Sequence, residues 1–97
     1  GRKRKEKLTK EEKERLQEII EEIKGKKKAV LVDENLRIVK KTSLTNLSRS
    51  IRAGIFIIII DGTATVPVIK SAERAGVKYI VANNFTTTDT EIELLSL

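Results

Sequence analysis

Asp61 is the residue best placed for chemistry in this sequence. It follows the apolar run Ile55-Phe56-Ile57-Ile58-Ile59-Ile60 directly and is itself followed by Gly62. An aspartate at the carboxyl end of a buried strand sits where open α/β sheets form ligand crevices. There a carboxylate can hold Mg²⁺ through oxygen, if one or two further carboxylates stand nearby. Asp33 and Glu34 follow a neighbouring strand, but at the opposite end of the sheet if that strand is antiparallel. The plainer reading is that Asp61 caps the following helix and fixes the turn. A contact to a partner is a third reading, shared with Thr63 and with Phe85, a lone aromatic in an Asn/Thr loop. Phe85 can equally close the end of the sheet. Gly62-Thr63-Ala64-Thr65 lacks the spacing and the Gly-Lys-Ser/Thr ending of a phosphate loop. The other chemistry-bearing stretch is the basic leader Arg2, Lys3, Arg4, Lys5 and Lys7. It reads as a solvated linker or as a non-specific contact to nucleic-acid phosphates.

The chain has no histidine, cysteine, methionine or tryptophan. Disulfides, thiolate and imidazole metal sites, and Cys or His nucleophile–base pairs are therefore excluded. The charge is uneven: residues 1–28 carry 12 Lys/Arg against 7 Asp/Glu, and residues 29–97 carry 8 against 7. The body is nearly neutral and the leader is basic. A charged content of 35% with abundant Lys, Glu and Ile suits a thermophile. No apolar run approaches the roughly 20 residues that span a bilayer, and no signal peptide is visible, so the expected location is cytoplasmic with no membrane partner. A start at Gly1 with no methionine reads as a piece of a longer protein.

Positioning the candidate residues falls to a short set of elements. Thr9-Lys10-Glu11-Glu12 is a capping box, and Leu16, Ile19, Ile20 and Ile23 form one apolar stripe on a charged helix. The stripe docks on a sheet or, alternatively, makes a homo-oligomer through residues 16–23. Gly25 ends the helix in a left-handed cap, and Lys26-Lys27-Lys28 reads as a solvated loop. Ala29–Val32 and Leu36–Lys40 predict a hairpin, with Asp33-Glu34-Asn35 as its turn and Asn35 able to take a left-handed backbone. Ser43 predicts a cap for a short helix with Leu44, Leu47 and Ile51 inward. The isoleucine run predicts a strand covered on both faces. Thr63 or Thr65 then caps a helix, with Pro67 in its first turn and Val66, Ile69, Ala72 and Ala75 inward. Gly76 closes that helix. Val77–Ala82 predicts another strand, Asn83–Asp89 a polar loop, and Glu91–Leu94 a last strand whose pairing stays open. Right-handed crossovers set the strands near 36–40, 55–60 and 77–82 parallel, with 29–32 reversed. The fold class expected is α/β: two or three layers, with a mixed, mostly parallel sheet of about five strands and three helices. Residues 1–8 are expected to be linker and 9–97 one domain.

The stretch from Ile57 to Asn83 resembles the C-terminal domain of archaeal DnaG, the bacterial-type primase homologue. The resemblance rests on Asp61-Gly62 closing a buried strand and on Ala75-Gly76-Val77-Lys78-Tyr79-Ile80-Val81 opening the next. Val32-Asp33-Glu34-Asn35-Leu36 and Glu91-Ile92-Glu93-Leu94 add to it, so that residues 16–97 are covered. This chain has Val66-Pro67 where the family usually has a Gln-Arg pair. The resemblance implies a non-catalytic accessory or protein-interaction domain of a primase that makes RNA primers and takes part in exosome-linked RNA processing. It implies that Mg²⁺ and the catalytic carboxylates belong to a separate domain of the parent protein. The partners it implies are the exosome cap subunit or a replicative helicase, with RNA or DNA held weakly through the leader. From a different class, the residues alone also allow a small Mg-dependent phosphoryl- or nucleotidyl-transfer domain using Asp61.

Overall fold

The computed structural model describes residues 8–97. The leader residues Arg2, Lys3, Arg4, Lys5 and Lys7 lie outside them. The described residues form α1 (Lys10–Ile23), β1 (Lys28–Val32), β2 (Ile38–Ser43), α2 (Leu47–Ser50), β3 (Ile57–Ala64), α3 (Val66–Ala75), β4 (Tyr79–Phe85) and β5 (Glu93–Ser96). The sheet order is β2-β1-β3-β4-β5. β1 is antiparallel to both β2 and β3, while β3, β4 and β5 are mutually parallel. Four strands thus point one way and β1 points back, as the hairpin and crossover reading expects.

Strand alternation explains the isoleucine run. Ile57 and Ile59 join Val30, Val32, Tyr79 and Val81 in a core covered by Leu16, Ile19, Ile20 and Ile23 of α1. Ile58 and Ile60 join Ala29, Leu31, Ile80 and Ala82 in a second core, under Val68, Ile69 and Ala72 of α3 and Leu47 of α2. Ile57 through Ile60 are all 0% exposed. A strand buried on both faces has no polar side to show, so the run is continuous. The result is three layers, with α1 on one face and α2 and α3 on the other.

α1 begins as predicted. The Glu12 amide donates to the Thr9 hydroxyl at 3.1 Å, and the Glu12 carboxylate accepts the Thr9 amide at 2.9 Å. Its apolar stripe is buried against the sheet. The rest of residues 16–23 exposes Gln17, Glu18, Glu21 and Glu22. Gly25 (φ 83) and Gly76 (φ 82) take the left-handed conformation after α1 and α3. A Cβ on Gly76 meets nothing within 4 Å. Gly76→Ala should therefore cost about 1 kcal/mol through backbone strain alone. A urea titration showing no loss would contradict the assigned conformation.

Several expectations need correction. Asn35 does not take the left-handed position; Leu36 does, at φ 61. The Asp33 carboxylate accepts the amides of Asn35 (2.9 Å) and Arg37 (3.0 Å), which fixes the turn. The Leu36 side chain is then buried in the α1-side core, and that burial offsets the strain. Ser43 does not cap a helix directly. It ends β2, and its hydroxyl accepts the Asn46 amide at 3.3 Å, just ahead of the single turn of α2. In α3 the buried residues are Val68, Ile69 and Ala72, whereas Val66 is 42% exposed at the first turn. The central strand does not stop before Asp61-Gly62 but continues to Ala64, so Thr63 lies in β3. Thr65 holds the N-cap position of α3 without a side-chain hydrogen bond. The last strand pairs parallel to β4, from Tyr79↔Glu93 to Ala82↔Ser96.

Candidate functional site

Asp61 shares the α1-facing side of β3 with Ile57 and Ile59 by alternation. The β3–β4 register jumps between Ile60↔Ala82 and Thr63↔Asn84. Two residues, Asp61 and Gly62, stand opposite Asn83 alone, which is a bulge, and bulges re-aim side chains. The Asp61 carboxylate ends up 5% exposed. The Lys27 amide donates to its Oδ2 at 2.8 Å, and the Asn83 Nδ2 donates to its Oδ1 at 3.1 Å. The acid thus ties the α1–β1 connection and the end of β4 to the central strand. It does not cap α3, contrary to the simplest sequence reading, because the bulge and strand continuation carry it toward α1.

The electrostatics agree with that role. The Lys27 amide is the main cause that holds the Asp61 pKa below its ordinary value. Burial opposes this, while the Asn83 side chain, the Gly25 amide and the Lys27 charge add to the lowering. Lys27 accepts a left-handed backbone, φ 58, to present its N–H. Gly62 has a separate reason to lack a side chain: a Cβ there would lie 2.9 Å from Leu44 Cδ1.

The structure keeps the other acidic candidates apart from Asp61. Asp33 and Glu34 follow β1, which runs against β3, and so lie at the opposite end of the sheet. The Asp33 Oδ1 is occupied by its own turn. Among the described residues no group of three or more His, Cys, Asp or Glu is arranged to hold a metal ion. Of the residues named as partner contacts, Asp61 is buried and hydrogen-bonded inside the domain. Thr63 is exposed. Phe85 is half-buried, pairs with Ala64 at the end of β4, and packs on the α3-side core. The residues that sequence reasoning missed are Lys27 and Asn83. Only the amide side chain of Asn83 directly after an apolar strand hinted at a role.

Fold and site together define a small three-layer α/β domain in which the buried Asp61 carboxylate braces the sheet. Over 81 residues, or 81% of this chain, the sequence is 31% identical to the DNA primase DnaG of Methanopyrus kandleri. The matched segment is 20% of that protein, so the chain spans about a fifth of the relative's length. The similarity supports a DnaG-related domain. No family model matches the chain, and no solved structure matches it. Among the described residues, no helix is long and apolar enough to cross a membrane.

Proposed function

We propose that this chain is a non-catalytic C-terminal accessory domain of an archaeal DnaG primase, serving as a protein-docking module. Its partner is the exosome cap subunit or the replicative helicase, and its basic leader lies along RNA or DNA. The observation that carries this reading is the similarity to one fifth of a DNA primase. The internal use of Asp61 supports the non-catalytic part, since each of its oxygens already holds a donor from the protein.

The test is capture. The chain is immobilised and offered the purified cap subunit and helicase of the same source, with the full-length primase alongside. Retention of one of them is the expected result. Retention by the full-length protein alone would remove the docking role. In parallel, Mg²⁺ is titrated while the backbone amides of Lys27, Asp61 and Asn83 are followed by NMR. They should not move in a saturable way; saturable shifts would revive the Mg-dependent transfer reading.

A further inference from the structure

The two edges of the sheet are built differently. On β2, Lys40 and Lys41 are exposed, and the register jumps from Leu31↔Lys40 to Val32↔Ile38. Val39 is left unpaired in a bulge and 50% exposed. Edge lysines and bulges are the usual means by which a sheet refuses another strand. β5 has neither: its register is unbroken, and no Lys or Arg occurs from Glu91 to Leu97. Glu93 and Leu97 donate their amides inward, to the carbonyls of Lys78 and Ala82, each at 3.0 Å. The alternation of a parallel ladder then turns the N–H and C=O of Leu94 and Ser96 outward. Among the described residues no strand lies beyond β5.

Side chains beside this open edge give it a chemical character. Leu95 and Leu97 are half-buried against the α1-side core. A groove of about 300 Å³ runs between α1 and β5, with an aliphatic floor of Leu16, Ile20, Val81 and Leu95 and a polar rim of Lys13, Gln17 and Ser96. Two residues before Leu95 on the same face stands Glu93, which is exposed. Glu91 and Glu73 line a second groove at that end of the strand, where they outnumber the one cation, Lys78.

We infer that the β5 edge takes an added strand from a protein partner. That strand carries an aliphatic residue over the groove at Leu95 and, two positions away, a Lys or Arg beside Glu93. Backbone pairing to Leu94 and Ser96 supplies the affinity, and the alternate side chains supply the selection. This rests on the docking reading above and gives it a surface and a partner chemistry.

The probe is a seven-residue capped peptide of alternating valine and lysine, with a glutamate-for-lysine version as control. Binding to the 97-residue chain is read from amide NMR shifts. The lysine peptide should move Leu94, Ser96 and the groove residues more than the control does. Ser96→Pro removes an outward N–H while breaking no ladder bond, so the thermal melt should hold and peptide affinity should fall at least roughly tenfold. Glu93→Lys should reverse the preference between the two peptides. Strand addition is overturned by absent shifts at β5 up to millimolar peptide, or by unchanged affinity in the proline variant. A concentration-dependent dimer abolished by Ser96→Pro would assign the edge to a second copy and also overturn it. Capture of the cap or helicase equally by wild type and Ser96→Pro would leave docking intact and remove only this surface. Peptide binding at β5 without capture of either protein would remove the named partners and leave the surface standing.

Discussion

Asp61→Ala should lower the stability of the domain by about 1–3 kcal/mol at pH 7, the usual net worth of hydrogen bonds to a charged group. The substitution strands the Lys27 amide and the Asn83 Nδ2, both now directed at the carboxylate. Against a total of about 5–15 kcal/mol for a domain, that is a large share. A pH signature accompanies it. The folded-state pKa of Asp61 lies below its ordinary value, chiefly through the Lys27 amide. A depressed carboxyl contributes stability above its unfolded pKa of about 3.9 and loses it as pH falls through the folded value. Wild type should therefore lose this contribution from about pH 4 downward. Asp61→Asn, which keeps an acceptor for Lys27 but does not ionise, should show a shallower acid slope. Urea unfolding at pH 7 and pH 3 measures both. An equal gap between wild type and the asparagine variant at the two pH values would show that the carboxylate charge is not what the clamp uses.

The contrast between α1 and Asp61 shows which features a one-dimensional reading can reach. The capping box at Thr9 and the stripe through Leu16 and Ile23 are local, so spacing alone places helix and buried face. The isoleucine run is also local, because burial on both faces leaves a composition signal at each position. The Asp61 clamp instead joins residues 34 and 22 positions apart. Its direction is set by a bulge that depends on which strand lies alongside. Nothing in Asp-Gly distinguishes a strand end from a bulge within a longer strand. In α3 the expected face holds at Ile69, Ala72 and Ala75 and differs only in the first turn. There Val66 and Val68 are both apolar, and packing in the core with Ile58 and Ile80 takes Val68. Leu36 shows tertiary burial overruling turn propensity, since Asn35 has the better local chemistry for a left-handed backbone but no core to enter. The pairing of β5 is likewise a long-range choice, invisible in the alternation of Glu91–Leu94.

Ile59→Ala should be the most damaging single truncation on the α1 face, at about 2–5 kcal/mol. Ile59 is fully buried in the central strand, within the cluster that includes Val30, Val81, Ile19 and Ile20. Removing its side chain loses the transfer free energy of three carbons and leaves a cavity that a strand paired on both sides cannot easily collapse. For a domain near 100 residues, each kcal/mol shifts the melting temperature by about 4–8 °C, so circular dichroism melts will resolve the change. Val39→Ala is the control: it shortens a β-branched residue on a bulged edge and should stay within about 0.5 kcal/mol. Ile59 lies two residues from Asp61 on the same face, under the helix that delivers Lys27. A loosened α1 weakens the clamp, so part of what Asp61→Ala removes is already lost in Ile59→Ala. The double variant should therefore fall short of the summed effects by more than about 0.5 kcal/mol, as expected for residues sharing a support. Strict additivity would mean that the α1 core and the carboxylate clamp hold the loop independently, and that the bulge alone sets the position of Asp61.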